Sequence, residues 1–203
     1  MKRIVILIAI FCVATPANAQ SEDFLYQQIE KAGAMITSME CELDNIYVKE
    51  DYVRNKHGRL YYQATDKIGA FFDNGDYAIL NGKKMKIDIG IFHGIFRTDR
   101  GKITKPLSEM LFAALQGNCR QLADGYNYDI AIITTENSYD ITFTTRKRKL
   151  FGIGYKQTIF SYGLDDKRIQ AITLIDYKDN IDTYQLIDKQ IDTDIDESKF
   201  NLN

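Results

Sequence analysis

Apolar residues near the start of the chain recur every three or four positions. Phe24, Leu25, Ile29, Ala32, Met35 and Ile36 fall on one stripe with polar residues between them, which predicts an amphipathic helix. Glu22 and Asp23 suit its N-terminus, where carboxylates meet the positive end of the helix dipole. Beyond Met39 the pattern shortens to strand-like runs separated by turn residues. Leu60-Tyr61-Tyr62 follows a His57-Gly58 turn, and Ala70-Phe71-Phe72 ends at Asp73-Asn74-Gly75. Tyr77 to Leu80 and Met85 to Ile89 flank Asn81-Gly82, the strongest hairpin signal in the chain.

A second helix interrupts the strands. Pro106 stands near its start, Leu107, Met110, Leu111, Ala114 and Leu115 share one stripe, and Gly117 stops it just before Cys119. Five further strands follow, over Asp129 to Thr134, Tyr139 to Thr144, Gln157 to Tyr162, Arg168 to Tyr177 and Thr183 to Lys189. A strand about every ten residues, with few prolines, suits an antiparallel meander curling toward a barrel. The expected order is helix, about six strands, helix, about five strands, in one domain and α+β in class.

The first residues carry a different pattern. Lys2 and Arg3 precede an uncharged apolar run from Ile4 to Val13, and Ala17-Asn18-Ala19 is a small-x-small cleavage site. The run is shorter than the roughly 20 residues a membrane span needs, and Pro16 closes it. Residues 1–19 therefore read as a cleaved signal peptide, and residues 20–203 as the mature domain. Cys12 lies in the run behind the bulky Phe11, which is unsuited to lipid attachment, so it leaves with the peptide. The formal net charge is −2, and the two basic residues of the leader make the remainder slightly more acidic, giving no electrostatic case for nucleic acid.

Export changes the meaning of the remaining cysteines. Cys41 and Cys119 form an even pair in an oxidising compartment and read as a disulfide, with two buried free thiols as the alternative. Catalytic patterns are missing: His57 and His93 sit in turn-like contexts without a partner at metal-ligand spacing. Gly152-Ile153-Gly154 is followed by no helix and reads as a hairpin tip. Asp165, Asp166, Asp176, Asp188, Asp192, Asp194 and Asp196 flank turns and miss the calcium-loop spacing. The run Arg146-Lys147-Arg148-Lys149, followed by Leu150 and Phe151, reads either as a solvated tip or as a contact for an acidic partner or anionic lipid.

Several local strings, in this order, resemble the outer-membrane lipoprotein carrier family (LolA-like), particularly its Bacteroidetes-type members. They are Ser38-Met39-Glu40-Cys41, Gly58-Arg59-Leu60-Tyr61-Tyr62-Gln63, Ala78-Ile79-Leu80-Asn81-Gly82-Lys83, Gly117-Asn118-Cys119, Thr183-Tyr184-Gln185-Leu186 and Asp196 to Phe200. Each is weak alone; their order over the mature chain makes the resemblance. It implies an unclosed antiparallel β-barrel of about eleven strands with an α-helical lid. It also implies a monomeric carrier, with no cofactor or metal and no enzymatic activity. Such a carrier takes lipoprotein acyl chains from an inner-membrane lipoprotein-releasing ABC transporter to an outer-membrane receptor or membrane.

On that reading the lid stripe is Leu25, Ile29, Met35, Leu107, Met110 and Leu111. The concave wall is Tyr62, Ile68, Phe72, Ile79, Ile141, Phe143, Ile172 and Leu174, all of which also fit an ordinary core. The chain departs from the family at one point. Many carriers have Arg-Pro after the early strand, with the arginine hydrogen-bonding the lid shut; here Ala64-Thr65 takes that place. Either apolar contacts hold the lid, or the cargo is another lipid or glycolipid.

Overall fold

The computed structural model describes residues 22–90, 92–145 and 155–203. The expected signal peptide, Cys12, the basic run Arg146 to Lys149 and Gly152 to Gly154 lie outside the described residues.

One antiparallel sheet of eleven strands, in the order β6-β5-β4-β3-β2-β1-β11-β10-β9-β8-β7, carries the whole fold. The strands are β1 (Ser38–Lys49), β2 (Tyr52–Gln63), β3 (Lys67–Phe72), β4 (Tyr77–Asn81), β5 (Lys84–Ile89) and β6 (Phe92–Arg97). After the helices come β7 (Asp129–Thr134), β8 (Ser138–Thr144), β9 (Tyr155–Gly163), β10 (Ile169–Asp176) and β11 (Ile181–Ile191). All neighbours but one pair are consecutive in the chain; β1 closes onto β11, so the two halves of the meander meet at the first and last strands. β6 and β7 are left as edges, which makes the barrel unclosed.

Helix α1 (Glu22–Ala34) precedes the sheet, and α2 (Thr104–Gln116) and α3 (Cys119–Tyr126) lie between β6 and β7. α2 ends as expected at Gly117, whose φ of 74° lets its N–H reach the Ala113 carbonyl. The third helix was not anticipated. It is a short amphipathic helix that buries Cys119, Leu122 and Ala123 and stops at left-handed Asn127.

The expected His57-Gly58 turn is instead the middle of β2, and the true turn lies at Glu50-Asp51. Gly58 serves close approach rather than chain reversal. A Cβ there would stand 2.2 Å from the Phe71 carbonyl oxygen of β3, so only glycine lets the sheet curl this tightly. His93 likewise lies in β6, not in a turn. The Asn81-Gly82 hairpin forms as read, with Gly82 at φ 57°.

Directly opposite residues share a face, so register sorts the strands into a concave and a convex side. Met39, Tyr62, Ile68, Leu80 and Met85 are successive partners across β1 to β5 and form one buried concave row. Phe143 and Phe160 continue the core on β8 and β9 with ring centroids 4.8 Å apart. The convex side is also covered in part. Phe200, at the end of a 3-10 turn (Glu197–Phe200), packs with Ile195 and Tyr61 outside β2, and Asn81 donates to the Phe200 carbonyl at 3.0 Å. A small second core thus holds the C-terminal segment on the outer wall.

Candidate functional site

The helices cover the concave face, and each has an identifiable tether. Tyr162 of β9 donates to the Ala114 carbonyl of α2 at 3.0 Å and lies 3.2 Å from the Cys119 sulfur. At the last residue of α2, the Gln116 amide donates to the Tyr62 hydroxyl at 3.2 Å and to the Thr65 carbonyl at 3.3 Å. This latch occupies the position where the family resemblance implied an arginine. Its donor comes from the lid, and its acceptors are the Tyr62 hydroxyl of β2 and the Thr65 carbonyl of the β2–β3 turn. α1 crosses α2 through Gly33 beside Gln116 and through Ile29 beside Gly117. Arg120 of α3 pairs with Asp23 of α1 and stacks over Tyr26 at 4.3 Å, tying these helices together.

Between α2 and the sheet lies an apolar cavity of about 180 Å³. Leu107, Met110, Leu111 and Leu115 of α2 form its roof, and Ile68 and Phe72 of β3 flank it opposite Ile172 and Leu174 of β10. Leu43, Leu60, Tyr184 and Leu186 make the floor. Pockets that enclose a small-molecule ligand span about 300–1,000 Å³, so this conformation holds less room than a long acyl chain needs. Methionine and leucine on the roof allow repacking because their side chains adapt to irregular partners.

Half of the residues expected at the lid and wall come together around this cavity: Ile68, Phe72, Leu107, Met110, Leu111, Ile172 and Leu174. Leu25, Ile29, Tyr62, Ile141 and Phe143 are buried core residues away from the lining. Two expectations need correction. Met35 is 64% exposed, because α1 ends at Ala34 and the chain turns into β1. Ile79 pairs with Gly69, which pairs with Tyr61, so it belongs to the convex side. Leu43, Leu60 and Tyr184 were missed; their alternation in long strands was the available signal, but which parity faces inward depends on register.

The expected Cys41–Cys119 disulfide is also corrected: both are free, buried thiols. Each has its own environment. Cys41 sits mid-strand on β1 opposite Leu60, whereas Cys119 starts α3 and meets the Tyr162 hydroxyl. Burial pushes both thiols up to about 12, so they are protonated and inert at neutral pH.

Several other titratable groups are held in structural contacts. His57 hydrogen-bonds Asp44 at 2.6 Å across β1 and β2. Asp192 accepts from Thr37 at 2.7 and 3.1 Å, and Asp196 caps the 3-10 turn through Ser198 at 2.9 Å. Among the described residues no group of three or more His, Cys, Asp or Glu side chains is arranged to hold a metal ion. No described helix is long and apolar enough to cross a membrane.

No protein-family model and no curated protein matches the sequence. Solved structures do match the fold. An uncharacterized conserved protein from Thermus thermophilus superposes with a TM-score of 0.53 at 10% identity, over 89% of this chain and 93% of that one. The Pseudomonas aeruginosa MucA/MucB complex structure gives 0.50 at 10% identity, over 88% of this chain but 60% of that one. A LolA superfamily protein from Nitrosomonas europaea gives 0.45 at 7% identity, over 88% of this chain and 96% of that one. At such identities the likeness is one of fold alone: an open antiparallel barrel with a helical lid.

Proposed function

We propose that this protein is a periplasmic carrier that binds the acyl chains of lipoproteins under its helical lid, a binding protein rather than an enzyme. Residues 1–19 direct its export and are removed. Cargo comes from an inner-membrane lipoprotein-releasing ABC transporter and passes to an outer-membrane receptor or membrane. The observation that carries this reading is the apolar cavity roofed by α2 and latched by Gln116. The ordered strings that resemble the lipoprotein carrier family support the same reading.

The energetics fit a device of this form. A palmitoyl-length chain in water leaves about fifteen methylenes exposed, at roughly 0.8 kcal/mol each, or about 12 kcal/mol in all. A carrier has to offset most of that and still release the chain. A roof held by three neutral hydrogen bonds and apolar packing meets both needs, since each bond contributes only about 1 kcal/mol net.

A second reading keeps the fold and changes the cargo to another lipid or glycolipid. Its support is the Ala64-Thr65 sequence in place of the family's Arg-Pro, together with the polar rows described below. Native mass spectrometry of protein taken from envelope extracts separates the two. Co-purified triacylated lipoprotein is the expected result; a free lipid selects the second reading, and protein without any apolar cargo in either extract or reconstitution rejects both.

A further inference from the structure

Beyond the cavity, the concave face changes character. Two cross-strand rows there are polar over β2, β1 and β11. The first runs Lys56–Asn45–Tyr184–Ile172 and the second Arg54–Tyr47–Asp182–Leu174–Thr158, each residue opposite the next across β2, β1, β11, β10 and, for the second row, β9. Tyr184, Ile172 and Leu174 also line the cavity, so the rows adjoin it on the same face.

The side chains in these rows are organised around Asp182. One of its oxygens accepts from Asn45 at 2.5 Å and the other from Tyr184 at 3.1 Å, while Asn45 is 3% exposed. Each carboxylate oxygen keeps a further lone pair. Burial pushes the Tyr155 phenol up to about 12, and the carboxylates of Asp182 and Asp176 and the Tyr47 phenol add to the shift. The Arg54 guanidinium lies 5.2 Å from the centre of the Tyr47 ring and pairs with no carboxylate among the described residues. Lys56 is bound to Asp76. Independently, the Thr158 hydroxyl is completely buried and has no hydrogen-bond partner among the described residues. A buried unsatisfied hydroxyl is costly and calls for an explanation.

We propose that these rows are a head-group subsite, continuous with the apolar cavity, for a neutral hydroxyl-bearing head such as a glyceryl or glycosyl group. This inference rests on the lipid-binding reading above and refines it. Hydroxyls both donate and accept, and the rows offer both: carboxylate and phenol oxygens to accept, and the Arg54 guanidinium hydrogens to donate, the Tyr184 hydrogen being held by Asp182. The charges of Arg54 and Lys56 are outweighed by Asp76, Asp176 and Asp182, which leaves no positive excess to attract a phosphate or carboxylate head. The tail then lies under α2, with Tyr184 at the junction between the apolar and polar parts.

The test uses the whole protein, stripped of lipid and loaded with an apolar fluorescent dye. Three single-chain amphiphiles of equal tail length compete for the dye: a monoacylglycerol, a fatty acid and an alkyl trimethylammonium. The monoacylglycerol is expected to displace it at about tenfold lower concentration than either charged analogue. Asp182→Asn should remove most of that preference, and Tyr184→Phe, which keeps the ring and deletes only the hydroxyl, repeats the measurement if the first variant does not fold. Arg59→Gln on the convex side should behave as the parent. Equal competition by all three heads, or a win by a charged one, overturns the head-group assignment while the carrier reading stands. Failure of the parent protein to bind dye or any amphiphile overturns both.

Discussion

Gly33 of α1 rests against the backbone of Gln116 in α2 so closely that a Cβ at Gly33 would lie 2.3 Å from the Gln116 carbonyl carbon. The partner is backbone, which cannot rotate away. The same crossing is repeated one residue on, where a Cβ at Gly117 would lie 2.5 Å from the Ile29 carbonyl oxygen. Gly33→Ala should therefore wedge α1 from α2 and lower stability by about 1–3 kcal/mol, as overpacking does. Urea unfolding midpoints check this. Gly117→Ala should cost more, since its φ of 74° adds backbone strain to the clash. Midpoints equal to the parent's in both variants would remove the close crossing as a feature of the lid.

The latch gives a kinetic prediction. Gln116→Leu deletes donors to Tyr62 and Thr65 while keeping an apolar stem of similar size. Stopped-flow uptake of a hydrophobic dye should become faster, by severalfold for a loss of about 1 kcal/mol in closure. Ala64→Arg should act in the opposite direction, adding a donor beside the same turn and slowing uptake. An unchanged uptake rate in both variants means that Gln116 does not hold the roof.

The thiols should be silent in the folded protein. Cys41 and Cys119 are buried, protonated and unbonded, so a disulfide-exchange reagent should label neither until urea unfolds the chain, when both react. Reducing agent should leave the melting temperature unchanged. A drop of several degrees on reduction would restore the disulfide.

His57 should titrate above its ordinary value of 6.5, because its ring hydrogen-bonds the Asp44 carboxylate. Folding then favours the protonated ring. The associated stabilisation is fully present below the unfolded value and is lost as pH rises through the folded one. The ring is exposed, so the effect on global stability is small and the sharper readout is the NMR titration of His57 itself. Asp44→Asn should move that titration back down; a midpoint that does not move would show that the pair does not form in solution.

Much of this architecture is written locally. The α1 and α2 stripes, the Asn81-Gly82 turn, the Gly117 stop and the meander of short strands follow from periodicities and turn residues that need no tertiary information. Other features depend on partners distant in sequence. His57-Gly58 resembles a turn, yet Gly58 is there to let β3 approach. Ile79 looks like concave wall, yet the C-terminal segment gives this sheet an apolar convex side as well. Two cysteines in a chain expected to be exported suggest a bridge, yet each packs against its own neighbours. The cavity itself needs register: the β-bulge between Glu40 and Glu42 opposite β11 resets which residues share a face. By itself the sequence determined a curled antiparallel sheet with two apolar helices to cover it, because patterns of period two and 3.6 are local. Only the tertiary structure decided which face became the cavity, what latched its roof and where its polar rows lie, because strand pairing sets side-chain direction and no stretch of the chain carries that alone.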